Sequence, residues 1–263
     1  MEVEEGPEPP ALVLPGALIT ADPGFMAGRG TYTDNNAIYA ALVGHTVLTN
    51  KLISVRPLKP RFSASTGDVV IGRVAQIFNK KWAVELEATD RASLHINSVR
   101  LEDVQRRKTE EDEQKMRELF AEGEFLVAEV RAATPDQGIS LHIRNENFGK
   151  LIGGLLVAVK SYLIRRQKSH FHERAGLLLI FALNGFVWIA PQERDNPPVE
   201  TLRTIAKLRN IIFALNEANL MVDPELVWEI LAQSSALSAA DLLLAQNKEQ
   251  IVSSVKSVVR GKH

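Results

Sequence analysis

From Gly67 to Asn97 the chain reads GDVVIGRVAQIFNKKWAVELEATDRASLHIN, and apolar and polar side chains alternate through much of it. Val70, Gly72 and Val74 fall on one side of the alternation, and Trp82, Val84 and Leu86 repeat it in the next run. A period of two belongs to strands with one buried face, since a helix would space its apolar residues three and four apart. Gly67-Asp68 opens the stretch as a turn, and Asn79-Lys80-Lys81 is the charged tip that joins the first pair of runs. Ala88-Thr89-Asp90-Arg91 leads into Ser93-Leu94-His95-Ile96. The segment is a strand meander, the first three strands of a small barrel.

Two later runs, FLVAEVRAA and GISLHIR, are joined by Thr134-Pro135-Asp136-Gln137-Gly138 and complete that barrel over residues 66–146. A helix from Thr109 to Glu122 interrupts it. Thr109 suits the cap, and Glu110, Glu111 and Asp112 lie in the first turn, where carboxylates complement exposed N–H groups and the positive end of the helix dipole. Ahead of the barrel, residues 12–62 are short apolar runs broken at Pro15-Gly16, Asp22-Pro23-Gly24, Asn35-Asn36 and Gly44. They predict an N-terminal β domain whose short strands give only a thin core. Residues 61–66 read as a linker.

Beyond Gly149 the pattern changes. LLVAVK is a strand, SYLIRRQKSHFHERAG is a basic segment, and LLLIFAL and FVWIAP flank Asn184-Gly185. An Asn-Gly pair between two β runs marks a hairpin, because both positions of the favoured tight turn need positive φ. After Pro197-Pro198 the period turns helical. Leu202, Ile205, Leu208, Ile212 and Leu215 form a stripe with Arg203, Lys207 and Asn210 off it. Helices over Pro224–Gln233, capped by Asp223, and from Ser238 to about Arg260 complete an α/β domain over residues 149–263. The fold class is therefore multidomain, with a β-rich N-terminal domain, a β-barrel, and an α/β domain with C-terminal helices.

A chain of 263 residues has room for several cores. Its 45% apolar and 24% charged residues argue against wholesale disorder and against a membrane protein. The absence of cysteine removes disulfides, thiolate catalysis and cysteine-held zinc. The opening MEVEEGPEPP is acidic and proline-rich where a secretion signal would be basic and then apolar, which predicts a disordered acidic arm over residues 1–11 and a reducing intracellular compartment. Those first ten residues carry four Glu, so a net charge of −1 leaves −1 − (−4) = +3 on the rest. Lys150 to Arg174 holds six Lys or Arg against Glu173, a local basic patch able to attract phosphate or an acidic protein surface.

LVLPGALIT, GFMAGRGTY, NKLISVRPLKPRF, GDVVIGRV, RQKSHFH and ALNGFVWI follow one another in this order. Together they resemble, from Leu12 to Pro191, the RNA exosome cap subunits of the ribosomal RNA-processing protein four family, in their eukaryotic form. The resemblance implies an S1-type OB-fold barrel followed by a KH-type domain. It also implies a non-catalytic subunit without a cofactor, seated with other cap subunits on a ring of RNase-PH-like proteins. Such a subunit guides single-stranded RNA into the central channel toward an associated exoribonuclease, in ribosomal RNA processing and RNA degradation. A nuclear, nucleolar and cytoplasmic location follows from the same resemblance, with no membrane or DNA partner.

In that family pattern, RNA-gripping S1 barrels stack bases on two aromatics of the second strand and add a His and an Arg. Here Lys80 and Ala83 stand where the aromatics would be, and Ser140 stands where the Arg would be. His95 alone matches. Each stacked base contributes roughly 1 to 3 kcal/mol, so a weak and mainly electrostatic contact is expected. The candidate RNA-binding residues are Arg73, Lys80, Lys81, His95 and Arg100. For Lys80-Lys81 the alternative is a solvated hairpin tip, for His95 a backbone hydrogen bond, and Trp82 is read as core. Arg165, Arg166, Lys168, His170 and His172 form the densest basic cluster, which suits a solvated face, a protein interface or RNA phosphate. Asn184 and Gly185 are read as a structural turn, because a KH clamp needs G-x-x-G between two helices and ALNG lies between strands. No metal site is expected from His170-x-His172. The alternative function is a free-standing S1/KH RNA-binding protein acting in translation or RNA metabolism. An intrinsic nuclease lacks a nucleophile with a paired base.

Overall fold

The computed structural model describes residues 11–88, 90–99, 116–134, 138–193, 197–234 and 237–260. Residues 1–10 of the expected acidic arm, the Thr109 cap, Arg100 and the Pro135–Gln137 tip lie outside the described residues. The chain divides into two compact units, residues 1–60 and 61–263.

In the first unit seven short strands form two sheets. One has the order β1 (Leu12–Val13), β6 (Gly44–Thr49), β7 (Leu52–Pro57) and β3 (Met26–Ala27), and the other β2 (Leu18–Thr20), β5 (Ala37–Ala40) and β4 (Thr31–Asp34). Asn35 and Asn36 both take positive φ between β4 and β5, the tight hairpin geometry for which asparagine is suited. The core is thin, as short strands dictate. Ile38, Ala40, Ile53 and Val55 are buried, while Leu14, Met26 and Leu48 stay more than half exposed.

The second unit starts with the barrel. Strands β8 (Val69–Phe78), β9 (Lys81–Glu85), β10 (Ala92–Val99), β11 (Phe125–Thr134) and β12 (Gly138–Ile143) run in the order β12-β10-β9-β8-β11, and a β11–β12 pairing closes the ring. The short strand β13 (Gly149–Lys150) adds to β11. Inward side chains follow the period of two: Val70 and Val74, Trp82 and Val84, Leu94 and Ile96, Leu126 and Ala128, Ile139 and Leu141 share one core. Trp82 is fully buried there, donating from Nε1 to the Phe120 carbonyl at 3.0 Å and meeting the Phe120 ring edge-on at 5.4 Å. Of the helix expected over residues 109–122, the described part is α1 (Met116–Leu119), with Met116 and Phe120 buried against the barrel. Residues 61–66, read as a linker, also contribute to the barrel, since Phe62 joins its core.

After the barrel come β14 (Leu155–Ala158), β15 (Phe171–Arg174), β16 (Leu177–Phe181) and β17 (Phe186–Pro191), an antiparallel sheet in the order β14-β17-β16-β15. Helices α2 (Val199–Glu217), α3 (Pro224–Gln233) and α4 (Ala245–Arg260) follow. Along β16 and β17 the side chains alternate between two cores. Leu177, Leu179, Phe181, Val187 and Ile189 pack with the helices, while Ile180, Phe186, Trp188 and Ala190 pack with Val69, Ile71 and Val127 of the barrel. With both faces covered, every residue of β17 is buried.

Three readings of the sequence need correction here. The basic segment contains a strand, β15. The helical stripe of α2 runs through Ile205, Leu208, Ile211, Ile212 and Leu215, whereas Leu202 is exposed. Asn210 is buried and donates to the Ala239 carbonyl at 2.6 Å, a bond that offsets the cost of burying its amide. Finally, the helix expected from Ser238 is two pieces, a single 3₁₀ turn over Asp241–Leu243 and then α4, separated by extended backbone at Leu244.

Candidate nucleic-acid interface

The outward face of β9, β10 and β12 is where the resemblance places RNA. Strand pairing sets Ala83 opposite Ser93, and Ser93 opposite Ser140, so three small side chains occupy one row across the barrel. This row lacks any flat ring on which a base could stack. Lys80 is no part of it, because it sits in the β8–β9 turn with φ 63° beside Asn79 at 44°. The next row pairs Lys81 with His95. His95 Nδ1 accepts from the Asn97 N–H at 3.0 Å, which leaves the Nε2 edge as its N–H side when the ring is neutral.

Arg73 belongs to a different contact. It lies opposite Glu85 and binds one carboxylate oxygen through Nη2 at 2.8 Å and Nε at 3.2 Å. Both partners are more than half exposed, so the pair contributes little stability, yet it neutralises the charge that phosphate would use. A groove of about 450 Å³ beside Ala83 is lined by Glu85, Glu87, Asp90 and Arg91, a balance unfavourable to a polyanion.

On the other side of the small-residue row the chemistry reverses. A groove of about 320 Å³ is lined by Asn97, Ser98, Val99, Arg131, His142, Ile143 and Arg144. Burial pushes the His142 imidazole below its ordinary value; Glu129, 3.4 Å from Nε2, acts against this shift, and Arg144 and Arg131 reinforce it. Neither Arg131, His142 nor Arg144 stood out in the sequence as a site residue. The alternation of GISLHIR, which points His142 outward between Leu141 and Ile143, was the available signal.

The basic cluster of the basic segment is divided by the fold. Arg165 and Lys168 are exposed. Arg166 pairs with Asp68, a buried carboxylate that also accepts from the Ser65 N–H at 2.8 Å, and so ties this segment to the start of β8. His170 is buried, its Nδ1 donating to the Phe181 carbonyl at 2.7 Å. His172 Nε2 lies 2.8 Å from Gln167 Oε1, and burial lowers the pKa of its ring. Among the described residues no three His, Asp or Glu side chains gather as a metal site.

Asn184 and Gly185 form the β16–β17 turn, but the Asn184 side chain reaches into the barrel. Its Nδ2 donates to the carbonyls of Ile71 at 2.7 Å and Leu86 at 2.9 Å, and its Oδ1 accepts from the Ile71 N–H at 3.3 Å. Gly185 has φ 96°, and a Cβ there would stand 2.3 Å from the Val159 carbonyl oxygen.

Two family models match the chain. That of the RRP4 S1 domain covers residues 61–132, and that of the N-terminal region of exosome complex exonuclease RRP4 covers residues 12–49. The exosome complex component RRP4 of Mus musculus is 36% identical over 256 residues, which span 92% of this chain and 87% of the mouse protein. The chain belongs to the RRP4 family. The Saccharomyces cerevisiae RRP4 component is 34% identical over 95% of this chain and 70% of its own. That of Schizosaccharomyces pombe is 42% identical over 70% of this chain, a stretch that spans 56% of the yeast protein. The RRP4 S1 match runs from Arg61 through β11 as far as Ala132, and the second RRP4 match takes in β1 to β6.

Proposed function

We propose that this chain is a non-catalytic, RNA-binding cap subunit of the RNA exosome. In this reading it stabilises the RNase-PH-like ring beside other cap subunits and guides single-stranded RNA into the central channel for 3′-to-5′ processing, ribosomal RNA included. Membership of the RRP4 family supports the assembly. The observation that carries the mode of action is the Ala83–Ser93–Ser140 row, which offers no ring for stacking, beside the Lys81–His95 pair, with the half-exposed Phe78 opposite Lys81 at its edge. A surface of this kind attracts a backbone through charge and lets it slide, whereas stacked rings would hold each base. The associated exoribonuclease supplies the chemistry, and the subunit works where that complex works, in nucleus, nucleolus and cytoplasm.

The test is direct. The purified chain, mixed with single-stranded RNA, is expected to bind weakly, to lose the RNA as salt rises, and to leave its length unchanged. Shortening of the RNA from its 3′ end that persists after rigorous purification and disappears on a point substitution in this chain would overturn the non-catalytic assignment.

A further inference from the structure

Where β10 meets β12, Leu94 faces Leu141 and Val99 faces Ile143, so the four residues His95–Ser98 on one strand oppose the single residue His142 on the other. The strands separate there. On the opposite flank, β11 pairs Val130 with Leu141 and Ala132 with Ser140, which makes Arg131 the extra residue of a β-bulge. Bulges redirect side chains and recur beside binding sites. Both departures from regular pairing converge on His142, and the groove of about 320 Å³ is the space they open.

The His142 side chain is only 7% exposed; among the described residues Nδ1 has no hydrogen-bond partner, and Nε2 only approaches Glu129 Oε2, at 3.4 Å. Buried polar groups without a partner are uncommon, and one that lines an open basic groove is suited to a ligand. We propose that this groove binds a backbone phosphate of the guided RNA, with Arg131 and Arg144 supplying charge and His142 donating a hydrogen bond from the groove floor. The proposal rests on the RNA-guiding reading and locates its anchoring point. The two arginines on the outer surface stand in for the arginine that Ser140 replaces. Asn97, which lines the groove, also donates its N–H to His95, so the groove continues directly from the Lys81–His95 pair. RNA is favoured over an acidic peptide by that continuity.

Protonation couples to binding. Among the described residues, the charged and titratable groups facing His142 are Glu129 and Arg131 from β11, Arg144 just beyond β12, and His95 from β10. An added phosphate shifts this balance toward imidazolium.

The experiment uses the full chain and a short fluorescent oligouridine. In Arg131→Gln/Arg144→Gln, affinity falls about tenfold and the slope of log affinity against log salt flattens by about 0.7. Lowering the pH from about 7.5 to about 5.5 tightens wild-type binding more than that of His142→Gln. In the unmodified protein the His142 ring resonances titrate at higher pH once oligouridine is added, a readout that needs no variant to fold. An unmoved His142 titration, with affinity unchanged in the double variant while Lys81→Glu weakens it, would overturn the groove and leave the RNA reading intact. Loss of polyglutamate binding in the double variant, with oligouridine binding unaffected, would reassign the groove to an acidic peptide. A chain that binds no oligouridine even at low salt would overturn both.

Discussion

The side-chain amide of Asn184 is bonded to the backbone of Ile71, 113 residues away in sequence, donating to its carbonyl at 2.7 Å and accepting from its N–H at 3.3 Å. Leu183 adds an N–H bond to the Val69 carbonyl at 3.0 Å, and Arg166 pairs with Asp68 at the head of the same strand. A hairpin tip in the helix-backed sheet is thereby fastened along the first barrel strand. The barrel and that sheet form one body, so the outward face of β9, β10 and β12 is held at a fixed angle to the helices.

Removing that amide is expected to be costly. Asn184→Ala leaves buried donors and acceptors of Ile71 and Leu86 unpaired, and the expected loss is about 2 to 4 kcal/mol in denaturant unfolding. A loss below about 0.5 kcal/mol would mean that the hairpin tip docks by shape alone.

Trp82 tests the orientation of β9. Because its indole is inside the barrel and bonded to the Phe120 carbonyl, Trp82→Phe should destabilise by about 1 to 3 kcal/mol and leave RNA affinity of the folded protein unchanged. A selective fall in RNA affinity without a change in melting would place the ring outside.

Gly72 is required by packing. A Cβ there would stand 2.3 Å from Val84 Cγ1 and 2.7 Å from Leu86 Cδ2. Gly72→Ala therefore overpacks the barrel, with an expected cost of about 1 to 3 kcal/mol in thermal or chemical melts. A neutral outcome would indicate that these two side chains turn aside freely.

Acid stability follows from the histidines. His142 and His172 both have folded pKa values lowered, chiefly by burial, from 6.5. Below that value the unfolded chain takes up protons that the folded chain resists, so stability is full above about pH 6.5 and falls as the pH drops through it. Unfolding measured from pH 7.5 to 5 should show this decline, with a shallower slope in His142→Gln/His172→Gln. An unchanged slope in the double variant would assign the acid sensitivity to other groups.

Much of this was legible in the sequence. Alternation through β8 to β10 gave the barrel strands and the direction of Trp82, and Asn184-Gly185 gave the hairpin. The apolar runs VVI and FVWIAP carried further information, since an unbroken run marks a strand covered on both faces, and these are the strands shared by two cores. What stayed hidden depends on distant partners. Nothing near Asn184 announces Ile71 or Leu86, and nothing near Arg166 announces Asp68. The groove at His142 depends on two register shifts, which change neither composition nor period. Asn210 looked solvated because its acceptor, the Ala239 carbonyl, belongs to a turn 29 residues on.

The most direct measurement is purification of the tagged chain from its own cells at moderate salt, with its partners identified by mass spectrometry. RNase-PH-like ring subunits and other cap subunits should co-purify in near-equal amounts, together with 3′-to-5′ exoribonuclease activity that the chain alone lacks. Recovery of the chain by itself, or with ribosomes and no ring subunits, would contradict the cap-subunit assignment and favour a free-standing RNA-binding protein.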